Sequence, residues 1–139
     1  MNDSKRVVLD TNIVLDMFVF NDAGAATLTS MLAAGGFQWI ATPAMRDELA
    51  RVLAYSHIDA KLAFYKISAM GVLAQFDRWA QLEPVAAKAP VTCKDPDDQK
   101  FIDLAVARRA TLVSKDLAVL CMAKKLLALD VVVAAQMKK

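Results

Sequence analysis

Arg6-Val7-Val8-Leu9-Asp10-Thr11-Asn12 is the stretch that decides the fold. A short run of β-branched and aliphatic residues stops at three polar ones, which is how a buried strand ends at a sheet edge. The same shape recurs. Phe37-Gln38-Trp39-Ile40 follows Gly35-Gly36 and stops at Thr42-Pro43. Thr111-Leu112-Val113 ends at Ser114-Lys115-Asp116, and Val131-Val132-Val133 closes the series. Helical stretches are expected between them, over 22–34, from Pro43 to about Leu53, over 59–79, from the Asp95-Pro96-Asp97-Asp98 start to about Arg109, and over 117–128. Thr42 and Asp95, each followed by proline, have the form of an N-cap with proline at the first helical position. Strands spaced by helices imply a mainly parallel sheet covered on both faces. The expected fold class is α/β, three layers (α/β/α), in one domain over 1–139.

Bulk composition supports a packed domain. Of 139 residues, 57% are hydrophobic and 23% charged, with four glycines and four prolines, so disorder is excluded and the core is sizeable. The apolar run after Leu117 is broken by Lys124, Lys125 and Asp130. No stretch reaches the roughly 20 uninterrupted apolar residues of a membrane span. Cys93 and Cys121 have no metal-ligand spacing, and with no leader-like start the expectation is reduced thiols in the cytoplasm. The net charge of +2 is nearly neutral and by itself argues neither for nor against a nucleic-acid partner. His57 stands alone at a loop or helix start, the methionines read as core filling, and Lys138-Lys139 as a frayed tail.

In open α/β sheets ligands bind beyond the carboxyl ends of the strands. Asp10 and Asp116 are the acids reached there. Taken singly, either is more simply a loop residue or helix cap, but as a pair on parallel strands they arrive at one edge. Glu48 falls on the flank of the stripe formed by Met45, Leu49, Val52 and Leu53, so it is partly withdrawn from water and needs a partner, such as Arg51 or a bound cation. Asp95, Pro96 and Asp98 make a capping-box-like start that serves helix stability, and the same start is a rigid mount for a carboxylate. Asp98 is the third acid on this reading and Asp95 its reserve, while Asp103 faces solvent or an arginine.

Two unit charges about 4 Å apart repel by about 4 kcal/mol at an effective dielectric near 20. Several converging carboxylates would therefore rival the roughly 5–15 kcal/mol that stabilises a whole domain, unless protons or cations neutralise them. With neither histidine nor cysteine in the set, an all-oxygen site selects Mg²⁺ or Mn²⁺, one ion or two, over zinc. Such ions activate water and polarise phosphoryl oxygens, so phosphodiester hydrolysis is the chemistry that fits.

Val8-Leu9-Asp10-Thr11-Asn12 resembles the strand and Asp-Thr-Asn opening of PIN-domain proteins. Arg46-Asp47-Glu48-Leu49 resembles their second acidic position. Asp95-Pro96-Asp97-Asp98-Gln99-Lys100-Phe101 is similar to the third, in a subgroup of bacterial VapC-like toxins, and Ser114-Lys115-Asp116 to the fourth. The four motifs in this order span Val8 to Leu117. The resemblance implies Mg²⁺- or Mn²⁺-dependent cleavage of RNA, single-stranded or structured, by the toxin of a toxin–antitoxin pair, often dimeric and held by a small antitoxin. It implies Asp10, Glu48, Asp98 and Asp116 as metal ligands, with Thr11, Asn12 and Ser114 orienting ligands or water. Many relatives carry a further acid two residues after the position of Asp116, where this chain has Ala118, which leaves the number of ions open.

Lys94, Lys100, Lys115 and Arg46 flank the acids as phosphate contacts, or are ordinary solvated cations. Trp39 stacks a base or, more simply, fills the core. From another functional class comes a PIN-like subunit of weak catalysis that binds RNA or protein, against which the intact acids argue. A haloacid-type phosphatase needs a second acid two residues after the first, where Asn12 stands, and ranks below. A receiver-like domain needs adjacent acids after the first strand, and none stands beside Asp10.

Overall fold

The computed structural model describes residues 5–137. The tail at Lys138-Lys139 lies outside them. Five strands form one parallel sheet: β1 (Lys5–Leu9), β2 (Phe37–Ala41), β3 (Gln81–Leu82), β4 (Thr111–Val113) and β5 (Val133–Ala134), in the order β3-β2-β1-β4-β5. The helices are α1 (Thr11–Phe18), α2 (Ala26–Ala33), α3 (Pro43–Leu53), α4 (Ser56–Tyr65), α5 (Ala69–Trp79), α6 (Gln99–Arg108), α7 (Leu117–Leu120) and α8 (Ala123–Leu127). Short 3₁₀ turns at Ala23–Ala25 and Pro96–Asp98 lead into α2 and α6. The result is the three-layer α/β/α arrangement expected, with a wholly parallel sheet. No described helix is long and apolar enough to cross a membrane.

The sheet is apolar on both faces. Val7, Val8, Leu9, Leu112 and Val113 are all buried, as strands covered by helices on each side must be. Trp39 is 1% exposed, with its ring edge-on to Phe76 at 5.0 Å and stacked on Phe18 at 6.2 Å. It belongs to the core, so base stacking by Trp39 is excluded.

Several elements depart from the sequence expectation for local reasons. Helix α1 begins at Thr11, inside what reads as a polar strand ending, because Asp10 caps it by accepting the Asn12 N–H at 3.3 Å. Its Ile13-Val14 pair lowers helix propensity, yet Ile13, Val14, Leu15 and Met17 are all buried, and burial outweighs it. The stretch expected as one helical region over 59–79 is two helices. Lys66 adopts the left-handed conformation (φ 58°, ψ 41°) and ends α4, and Ser68 accepts the Gly71 N–H at 2.9 Å to start α5. The helix expected over 117–128 divides at Cys121-Met122 into α7 and α8. The last strand lies at Val133–Ala134 rather than 131–133, and the two-residue β3, paired to Ile40 and Ala41, has no sequence signal of its own.

Strand order reverses at β1: the chain moves from β1 through β2 to β3 on one side, then crosses to β4 and β5 on the other. A crevice opens at such a switch point, beyond the carboxyl ends of β1 and β4. Leu9 pairs with Val113, and the Asp10 N–H donates to the Val113 carbonyl at 3.0 Å. One residue further, Asp10 and Ser114 stand side by side beyond the ends of the two strands.

Candidate metal centre

Three carboxylates converge there. Asp10, Asp98 and Asp116 each offer an oxygen within 4.8 Å of the others. Asp10 arrives from β1, Asp116 from the loop after β4, and Asp98 from the junction of the Pro96–Asp98 turn with α6. Each also occupies a helix N-cap position, where Asp10 and Asp116 accept a backbone N–H with their side chains and Asp98 does not.

Asp10 is almost wholly buried. Its Oδ2 accepts a 2.6 Å hydrogen bond from Ser114 Oγ, and its Oδ1 accepts the Asn12 N–H. Burial raises its pKa, the two hydrogen bonds oppose that, and the negative charges of Asp116 and Glu48 add to the rise. Ser114, with no exposed surface, also accepts the Asp116 N–H at 3.1 Å, so one hydroxyl ties two of the acids together. Asp116 Oδ1 accepts the Ala118 N–H at 2.9 Å.

Asp98 is 7% exposed, and its Oδ2 is buried with no hydrogen-bond partner. Its pKa is pushed up to about 8, first by burial, then by hydrogen bonding to Asp116, and then by the negative charges of Asp10, Asp116 and Asp95. A buried carboxylate oxygen without a donor is costly. The arrangement is one that a proton or a cation must complete.

Those residues fit a hard divalent ion. The oxygens around Mg²⁺ lie about 3–4.2 Å apart at bond lengths near 2.1 Å, so a slight contraction of this cluster gathers its three oxygens about one ion. The set is oxygen only, and one of its three acids, Asp98, has a buried oxygen without a donor.

The remaining residues singled out by sequence are placed as follows. Glu48, on α3, lies outside the three-carboxylate cluster: its Oε2 accepts from Thr11 Oγ1 and its Oε1 pairs with Lys100 Nζ at 2.5 Å. Its partner is thus Lys100, not Arg51. Asp95 is also outside the cluster and caps the 3₁₀ turn, accepting the Asp97 N–H at 3.0 Å. Asn12 contributes its backbone N–H. Lys115 pairs with Asp16, and Arg46 makes a bidentate bridge to Asp77 at 2.7 and 2.8 Å. That bridge raises the Arg46 pKa and lowers that of Asp77. Lys94 is exposed.

Three features escaped sequence reasoning. Asp16 is buried beside Lys115, and only knowledge of α1 would have revealed it as an inward-facing acid. Thr42 Oγ1, at the end of β2, is buried without a partner. The loop leading to Asp98 is pinned by α6: Gln99 accepts the Cys93 N–H at 2.7 Å and donates to the Val91 carbonyl at 3.0 Å, while Asp103 accepts from the Ala89 N–H and from Gln99, each at 2.8 Å. Asp103 therefore holds this loop, and the expectation that it faces solvent or an arginine is corrected. Its spacing of four residues from Gln99 was the available signal.

The family model described as PIN domain matches residues 6–118, which takes in Asp10, Glu48, Asp95, Asp98, Ser114 and Asp116. Comparison with curated proteins gives no match. The match covers most of the chain and agrees with the parallel sheet and the acids at its edge, and on that ground the chain belongs to the PIN-domain family, whose members are generally nucleases.

Proposed function

We propose that this protein is a divalent-metal-dependent endoribonuclease in which Asp10, Asp98 and Asp116 hold Mg²⁺ or Mn²⁺. The observation that carries this reading is the convergence of three carboxylates at the switch point, one with a buried oxygen left without a donor. A bound ion supplies Lewis-acid polarisation of the phosphodiester and activation of water. The chain's own residues provide the rest. Ser114 fixes the orientation of Asp10 and the backbone of Asp116, so both acids are set before any ion arrives. Glu48, held by Thr11 and Lys100, stands next to the centre as half of an ion pair.

In the finer reading the enzyme is the cytoplasmic toxin of a toxin–antitoxin pair, acting on single-stranded or structured RNA. Exposed Phe64, Tyr65 and Met70 around the turn between α4 and α5 offer apolar surface for a protein partner, an antitoxin or a second copy. Lys94 is an exposed flanking cation available to a phosphate, whereas Lys100, Lys115 and Arg46 already have carboxylate partners.

The test is incubation of the purified protein with tRNA, rRNA fragments and single-stranded RNA in Mg²⁺, Mn²⁺ or EDTA, beside Asp10→Asn. Cleavage that requires the metal and disappears in the variant is expected. Equal behaviour of the two proteins, with the metal shown to be bound, would replace catalysis by a binding role.

A further inference from the structure

Both oxygens of Glu48 are committed. Oε2 accepts from the Thr11 hydroxyl, and Oε1 meets the Lys100 ammonium at 2.5 Å. Lys100 Nζ also donates to the Asp97 carbonyl at 2.5 Å and sits 5.1 Å from the centroid of the Phe101 ring. Its side chain is only 24% exposed and that of Glu48 13%. A lysine left to itself keeps its ammonium in water, because drawing the charge inward costs desolvation. Here a carboxylate, a carbonyl and a ring face combine to hold it at the border of the metal centre. Thr11, which donates to Glu48, follows Asp10 in the chain, and Asp97, which accepts from Lys100, precedes Asp98, so the ion pair lies beside the cluster.

The acids that could serve a second ion are then few. Asp10, Asp98 and Asp116 belong to the first. Asp95 lies outside the cluster, with Oδ1 accepting the Asp97 N–H, and position 118 is alanine, whose backbone N–H is capped by Asp116. Glu48 borders the cluster but is neutralised by Lys100. We infer that Lys100 takes, as a fixed monovalent cation, the place that a second metal ion would need, and so holds this centre to a single divalent ion. The inference rests on the metal-centre reading above. Lys100 acts in it as a positioning residue, through Glu48.

The test is the stoichiometry of Mn²⁺ bound to the full chain, followed by titration calorimetry and by the paramagnetic signal of free Mn²⁺. Wild type is expected to bind one ion. Lys100→Met should bind two, the second at least about tenfold tighter than any second ion on wild type, since a unit positive charge has been removed beside the site. Lys100→Arg, which keeps the charge, should stay at one, and Lys100→Met with Glu48→Gln should return to one. Circular dichroism establishes that each variant is folded. Two ions of comparable affinity on wild type, or a single ion on folded Lys100→Met, would overturn the inference while leaving the metal centre intact. No ion on wild type would overturn the metal centre itself, and this inference with it. Because wild type alone can give a contrary answer, the test does not depend on any variant folding.

Discussion

Ser114 Oγ donates a 2.6 Å hydrogen bond to Asp10 Oδ2 across 104 residues of sequence, and the same oxygen accepts the N–H of Asp116 at 3.1 Å. Neighbouring parallel strands are what make this contact possible, since β1 and β4 deliver Asp10 and Ser114 side by side. The hydroxyl is thereby the joint between fold and proposed chemistry.

Ser114→Ala removes that joint without changing the fold. Asp10 keeps one backbone donor, and the Asp116 N–H loses its acceptor. The expected cost is about 1–3 kcal/mol of stability, with Mn²⁺ affinity falling about 10–100-fold, as is usual when a partner of a metal ligand is lost. Denaturant unfolding and Mn²⁺ titration measure the two effects. Unchanged Mn²⁺ affinity would show that Ser114 serves the fold alone.

The metal-free protein should lose stability as pH rises. Asp98 in the folded state has its pKa raised from 3.8 to about 8, so between those values the folded protein retains a proton that the unfolded chain has released. The contribution is fully present below about pH 4 and disappears as pH climbs through about 8, at up to about 1.4 kcal/mol per pH unit. The raised pKa of Asp10 acts with the same sign. Thermal melts in EDTA should show Tm falling from pH 5.5 to pH 8.5. Mg²⁺ or Mn²⁺ should restore it most at the alkaline end, and Asp98→Asn should flatten the profile while abolishing metal-dependent cleavage. A flat wild-type profile in EDTA would contradict the crowding of acids at this edge.

Trp39 separates core from site. Trp39→Ala should cost about 3–5 kcal/mol of stability, whereas Trp39→Phe should leave RNA affinity unchanged. Filter binding with a catalytically dead protein checks the second point, and a substantial loss there would return Trp39 to the RNA surface.

The two thiols should react at separate rates. Cys121 is exposed, whereas Cys93 is buried and its pKa is raised chiefly by that burial. A disulfide reagent should modify one thiol quickly and the other only slowly in native protein, and both quickly in denaturant. Equal native rates would mean that the segment around Cys93, pinned by Gln99, opens freely.

What was legible in the sequence follows the range of the interactions. Val7-Val8-Leu9 before Asp10, and Thr111-Leu112-Val113 before Ser114, announce buried strands because burial on both faces writes itself into consecutive residues. From those two strands the meeting of Asp10 and Asp116 follows by topology. Asp98 was reachable because Pro96 fixes the turn that carries it. Glu48 shows the limit: its place on the flank of a helical stripe was readable, but its partner was not, since Lys100 is 52 residues away and reaches it only once α3 and α6 pack. The break at Lys66 was hidden because a lysine in the left-handed conformation leaves no glycine or proline to mark it. Asp16 was hidden with the helix that bears it.

The most direct test is anomalous scattering from Mn²⁺ in crystals of the protein grown or soaked with the ion. One strong peak bounded by Asp10, Asp98 and Asp116 is expected, with Glu48 still paired to Lys100. Full Mn²⁺ occupancy elsewhere, with no peak among those three carboxylates, would contradict it.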